Sequence, residues 1–202
     1  FAGLKELNPD CIGWIRFENI DISYPIMQGE DNEYYLKHTF EGQAVTAASI
    51  FMDVNNHSDF TDQNTFIYGH NMKDKTMFGK LNDYKDEEFY KENPYFYIYT
   101  PDYTYRYEIF SCYLARVDNE MDFYTQFASK EQFQEFLDGV KAQSIYDTGV
   151  EATSEDKVVT LMTCNKAGYD YRFLVHAVQT EAVPTGDAAP AEDNAGTESE
   201  AE

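Results

Sequence analysis

The sequence predicts a mainly β fold: a closed or nearly closed barrel of short strands with helical insertions. Three observations predict it. Aromatic residues make up 16% of the chain, mostly Tyr and Phe, which suit pleated surfaces. Short strand-like runs recur along the chain, broken by turn residues. A sustained helical period appears once, late, at residues 129–143, so strands must supply most of the core.

The elements follow in order. Residues 4–10 read as the end of a short helix closed by "NPD". Residues 12–17 and 22–28 read as strands, with Pro25 marking an edge or a bulge because proline cannot donate to a ladder. "DNEYYLKHTF" begins with a capping Asp and suits one or two helical turns. "SIFMD" and "TFIYGH" are short strands separated by a polar loop, and "TMFGKLNDY" is a weak helix. Residues 95–100 and 103–117 form a hairpin around Pro101 and Asp102. At 129–143, Phe133, Phe136, Leu137 and Val140 share one helix face, with Ser129 as N-cap and Gln132 placed as in a capping box. "KVVTLMT" and "RFLVHAVQ" return to strand.

The length of 202 residues and 43% hydrophobic content suit one domain, taken as residues 1–182. Residues 183–202 carry six acids, no bases and no aromatics, the composition of a disordered tail. The net charge is −22, and without the tail acids still outnumber bases about two to one. With no Lys/Arg cluster to neutralise phosphates, nucleic acid is excluded as a partner. Cys11, Cys112 and Cys164 form neither a disulfide framework nor a zinc motif. No EF-hand loop, glycine-rich phosphate loop or G-x-S-x-G elbow is present. No apolar run reaches the length of a membrane span, and no signal peptide is seen. The chain starts at Phe1 rather than Met, which suggests a processed piece that could have lost an anchor.

His70 ends a strand after Gly69, which permits a sharp exit from it. Read alone, its position favours a surface or supporting histidine over a catalytic one. His38 falls in a helical turn, His57 in a polar loop, and His176 inside the last strand on the face of Arg172 and Leu174. Cys164 closes an apolar strand and could be a core thiol or a nucleophile, since thiolate chemistry needs a nearby base or positive charge. If the last two strands are antiparallel neighbours, the loop between them returns Arg172 beside Cys164, where a guanidinium could stabilise an oxyanion. Cys11 and Cys112 are expected to be structural thiols.

"TLMTC", with Arg172 opening the next strand and "IYGHNM" upstream, closely resembles the sortases, the cysteine transpeptidases of Gram-positive surfaces. "YYLKHTF", "SIFMD", "NTFIYGHNM" and "MFGKL", in that order and followed by an insertion with a helix, resemble class B. The resemblance spans roughly residues 4–180. It implies a sortase-type closed barrel of about eight strands, an N-terminal helix and a helix inserted before the cysteine strand. It implies Cys164 as nucleophile, His70 as general acid and base, and Arg172 as substrate-positioning and oxyanion-stabilising group. Asn32, Leu36, Tyr124 and Thr163 would bind substrate; Met162 departs from the small polar residue often found there. The implied reaction is cleavage of a secreted protein's C-terminal sorting signal after threonine, through an acyl thioester. Transfer to an amine of a peptidoglycan precursor follows, or to a pilin amine; a mainly hydrolytic peptidase of the same fold is the alternative. No cofactor or metal is implied. The expected setting is a monomer on the extracytoplasmic face of the membrane, tethered by an N-terminal segment absent from this chain.

Overall fold

The computed structural model describes residues 1–164 and 170–185, with Cys164 described by its backbone alone. The loop after Cys164 and the segment from residue 186 onward, expected as a tail, lie outside the described residues. Eight strands are present: β1 (Cys11–Arg16), β2 (Ser23–Met27), β3 (Ile50–Met52), β4 (Asn64–His70), β5 (Tyr95–Tyr99), β6 (Tyr103–Arg116), β7 (Val158–Cys164) and β8 (Tyr171–Pro184). They close into one barrel in the order β1-β2-β3-β4-β7-β8-β6-β5. Three α-helices decorate it among the described residues: α1 (Ala2–Leu7), α2 (Glu87–Glu92) and α3 (Lys130–Ala142).

Most neighbours pair antiparallel, but β2–β3 and β4–β7 are parallel. Pro25 lies on β2 outside the short stretch, Ile26 and Met27, that pairs with β3. Its missing N–H therefore interrupts no ladder on that side. The bulge in this pair falls instead on β1, between Cys11 and Gly13. β6 and β8 are 14 residues each and pair over nearly their whole lengths. β8 runs on to Pro184, so Val183 and Pro184 pair with Thr104 and Tyr103 rather than opening a tail.

Local chemistry explains the helices. Ser129 Oγ accepts from Gln132 N at 3.2 Å and caps α3. Gln132 Oε1 reaches back to Ala128 N at 2.6 Å, one residue before the cap, which varies the expected capping box. The sequence pattern misses α2: it spans six residues and buries only Tyr90, too little for a visible period. Its signals are local, with Asp86 accepting from Glu88 N and Lys91 pairing with Glu87 and Glu88. "TMFGKLNDY" yields a 3-10 helix at Gly79–Lys85, later than expected, and "DNEYYLKHTF" yields one 3-10 turn, Tyr34–Leu36, started by Asp31.

Apolar residues sort into three layers. The barrel interior is filled from all sides by residues such as Ile15, Met52, Ile67, Phe96, Leu161 and Val175. α3 lays Phe133, Phe136, Leu137 and Val140 on the outer face of β6, β7 and β8. On the opposite side, α1 and the Tyr34–Leu36 turn cover Met27, Phe51 and Tyr68. The middle of β8, Phe173 to Val178, is thus buried on both faces, which is why it reads as an apolar run broken only by His176. Cys11 and Cys112 are buried free thiols; burial raises both, that of Cys112 to about 11, as inert structural thiols require.

His176 is fully buried on the α3 side, among the rings of Phe110, Tyr113 and Phe136. Burial lowers its pKa from 6.5 to about 3. Between those values the unfolded chain takes up a proton that the folded chain refuses. Stability is therefore complete above about pH 6.5 and falls as acid is added, at up to about 1.4 kcal/mol per pH unit. Denaturant unfolding between pH 7 and pH 4 is expected to show this slope. His176→Phe should flatten it, and an equal slope in that variant would assign the acid lability elsewhere.

Candidate active site

The barrel order puts three strands side by side: β4, β7 and β8. β4 and β7 run parallel without a slip, from Asn64 against Val158 to His70 against Cys164. β8 runs antiparallel to β7, with Met162 against Leu174; the same register carried to the end of β7 sets Cys164 across from Arg172. Adjacent strands lie about 4.8 Å apart. The backbones of His70, Cys164 and Arg172 therefore form a row across the sheet, with the cysteine in the middle. The side chain of Cys164 and the loop that follows it lie outside the described atoms.

His70 is partly buried, and its Nε2 lies 2.6 Å from the carbonyl oxygen of Leu36. A carbonyl can only accept, so Nε2 carries the hydrogen and Nδ1 is left as the nitrogen that can exchange a proton. The histidine is thus oriented by a backbone carbonyl rather than by a carboxylate. Leu36 is itself fixed: it ends the 3-10 turn, and its neighbour Tyr35 is buried. Tyr35 donates to Asp10 at 2.8 Å and accepts from Asn8 at 3.1 Å. The corner after α1 therefore reaches the histidine through one turn of chain. At the other side of His70, Phe78 N donates to its carbonyl at 3.0 Å.

Gly69 does not serve a sharp exit, since β4 continues regularly through His70. Its reason is space: a Cβ there would lie 2.6 Å from the Phe78 ring and 2.5 Å from Ile50 Cδ1. Thr163 joins the last two strands. Its side chain is buried and its hydroxyl both donates to Phe173 O at 3.3 Å and accepts from Phe173 N at 3.1 Å. It clasps β7 to β8 beside the row. Arg172 is partly buried, and one of its guanidinium nitrogens donates to Tyr171 O at 3.0 Å.

The remaining expected groove residues frame the outer face of these strands. Asn32 is spent on the β3–β4 connection: Nδ2 donates to Asp53 at 2.9 Å and Oδ1 accepts from Val54 N at 2.8 Å. Asp53 also accepts from Tyr68 Oη and from Asn55, a knot that no sequence motif announces. Leu36 lies on the same side, packed with Tyr68. Tyr124 sits in the connection between β6 and α3, and its carbonyl accepts from Asn64 Nδ2 at 2.8 Å. Asn64 starts the strand that His70 ends, so at about 3.3 Å per residue Tyr124 is tied down roughly 20 Å from the histidine. The other histidines stand apart: His38 stacks on Tyr34, His57 pairs with Asp62, and His176 is in the α3 layer. Among the described residues no cluster of His, Cys, Asp or Glu could hold a metal, and no helix is long and apolar enough to cross a membrane.

Comparison with known proteins gives one consistent picture. The family described as "Sortase domain" matches residues 15–180. Sortase B of Listeria monocytogenes is 40% identical over 165 residues, covering 80% of this chain and 65% of that protein. Sortase B of Staphylococcus aureus is 34% identical over 168 residues, covering 83% and 68%. The chain thus spans about two thirds of the length of these relatives. The solved Staphylococcus aureus sortase B–substrate complex superimposes with a TM-score of 0.86 at 32% identity, covering 90% of this chain and 84% of that one.

Gly69→Ala places a methyl group 2.6 Å from the fully buried Phe78 ring, next to His70. The expected loss is about 1–3 kcal/mol of stability, as for overpacking elsewhere. Thermal unfolding checks it, and an unchanged melting temperature would show that Phe78 gives way freely.

Proposed function

The chain belongs to the sortase family, class B, and from that membership we propose that it is a cysteine transpeptidase acting on a C-terminal sorting signal. The observation that carries the reading is the common register of β4, β7 and β8, which aligns the backbones of His70, Cys164 and Arg172. In this reading residues 1–182 are the catalytic domain and the acidic segment after them is not needed for chemistry.

The Cys164 thiolate attacks the carbonyl carbon of the signal's threonine. Charge gathers on the carbonyl oxygen, and Arg172 donates hydrogen bonds to it. The C–N bond breaks as His70, protonated on Nδ1, gives its proton to the leaving amine. The product is an acyl thioester on Cys164 and a neutral imidazole. An incoming amine then attacks the thioester, His70 takes its proton, and the thiolate leaves with the new amide formed. Leu36 holds the ring through Nε2 in both half-reactions, so the proton shuttles at one nitrogen only. Asn32, Leu36 and Tyr124 shape the groove for the peptide, and Thr163 holds the strands in register behind it. The acceptor is a cell-wall amine on a peptidoglycan precursor, the setting is the outer face of the membrane, and the enzyme works as a monomer.

Turnover of sorting-signal peptides with an added amine, followed by mass spectrometry, tests this. Cys164→Ala should abolish both cleavage and amide product, by about a thousandfold or more. Arg172→Ala should lose about a hundred- to a thousandfold in kcat, as for removal of an oxyanion donor, with Arg172→Lys losing less. Cleavage that survives without the thiol sinks the proposal. Product that is the same with and without amine makes the enzyme a hydrolase, and a conjugate to a pilin lysine makes it a polymerase of pilins.

A further inference from the structure

A buried polar chain crosses the same three strands at their other end. Asn64, Thr160 and His176 have no exposed surface. Thr160 pairs with Phe66 on β4 and with His176 on β8. Asn64 Nδ2 donates to the Tyr124 carbonyl at 2.8 Å, Asn64 Oδ1 accepts from Thr160 Oγ1 at 2.8 Å, and Thr160 Oγ1 lies 2.9 Å from His176 Nδ1. The direction of every hydrogen in this chain is forced. The Tyr124 carbonyl can only accept, so Asn64 must present its amide nitrogen to it and its oxygen to Thr160. Thr160 has one hydrogen, which goes to Asn64, so its oxygen must accept and His176 must carry its hydrogen on Nδ1.

That leaves His176 Nε2 as a buried atom with no partner. A bare nitrogen among Phe110, Tyr113 and Phe136 is an unfavourable arrangement that packing alone would not select. Among the described residues burial alone shifts the pKa of the imidazole; Asp122, which accepts from the stacked Tyr113, is also hydrogen-bonded to Asn119 and Gln143. The imidazole stays neutral, so the chain keeps one polarity over the working range of pH. What it achieves is a single outward-facing hydrogen bond, to the backbone of the segment that carries Tyr124.

We propose that Asn64, ordered by Thr160 and His176, is a positioning residue for specificity: it pins the Tyr124 segment over the start of β4 and β7 and so sets affinity for the part of the donor peptide farthest from the scissile bond. This rests on the transpeptidase reading above. The chemistry it serves is recognition of an extended peptide, with the catalytic row at one end of the groove and this tether at the other.

The test uses Asn64→Asp, which keeps the shape but sets a carboxylate against the Tyr124 carbonyl, Thr160→Val, which removes the hydroxyl, and Thr160→Ser, which restores it. Two readouts are taken. Hydrogen exchange of residues 120–128 should speed up in Asn64→Asp and Thr160→Val and return to the native rate in Thr160→Ser, whether or not any peptide is turned over. With a long and a truncated sorting-signal peptide, Asn64→Asp should raise KM for the long peptide about tenfold, equivalent to about 1.4 kcal/mol. Its kcat and its KM for the truncated peptide should stay close to native. Native exchange rates in Asn64→Asp, or an equal KM rise for both peptides, overturns the proposal. Failure of the native enzyme to turn over either peptide counts instead against the transpeptidase reading, and the exchange readout still decides the tether.

Discussion

The parallel pairing of β4 with β7 is the constraint on which the rest of the structure depends. Parallel strands need a long crossover. Here the connection from His70 to Val158 passes through α2, the β5–β6 hairpin and α3 before β7 returns beside β4. A one-residue slip in that pairing would turn every side chain of one strand to the other face. It would also break the row of His70, Cys164 and Arg172. The register is secured from both sides: Val159 and Leu161 face the interior of the barrel, and Val158 and Met162 face α3.

The supports of the candidate site are mostly buried and mostly not catalytic. Thr163 gives both hydroxyl roles to Phe173 and so locks the second ladder next to the row. Gly69 lets Phe78 and Ile50 close over the end of β4. The Leu36 carbonyl selects the histidine tautomer, and Tyr35, Asp10 and Asn8 hold that carbonyl in place. Each of these groups acts by fixing an atom that could otherwise sit an ångström away, and such displacements are large on the scale of transition-state geometry. The two ends of the three-strand unit thus carry different features, with the row of His70, Cys164 and Arg172 at one and the Asn64–Tyr124 hydrogen bond at the other.

Much of the fold was legible because it is written in local periods. The aromatic runs of β5 and β6 around the Pro101–Asp102 turn and the helical spacing of Phe133, Phe136, Leu137 and Val140 are visible in the chain itself. The short α2 was not, because six residues with one buried side chain leave no period to detect. Pairing was harder: alternation says which residues share a face but not which strand lies next door, so the adjacency of His70 and Cys164 was suggested by motif resemblance rather than by pattern. The reasons behind individual residues were least legible. Thr163 is expected at the substrate from its motif, and its bonds to Phe173 across two strands are announced by no pattern. Gly69 looked like a bend and is a gap for a ring. Leu36 is expected at the groove, and its described contact with the histidine is through its carbonyl, which no side-chain pattern encodes. Asn64 passed unnoticed because a buried amide at a strand start has no motif.

The most direct test of the central claim is a crystal structure of the enzyme with a substrate-mimic peptide trapped on Cys164. The account predicts an adduct at Cys164 whose carbonyl oxygen accepts from the Arg172 guanidinium. His70 Nδ1 should face the departing group while Nε2 keeps its bond to Leu36, with β4 and β7 in the register described. An adduct whose carbonyl is turned away from Arg172, or a His70 ring that has left Leu36 and presents Nε2 to the bond being broken, would contradict it.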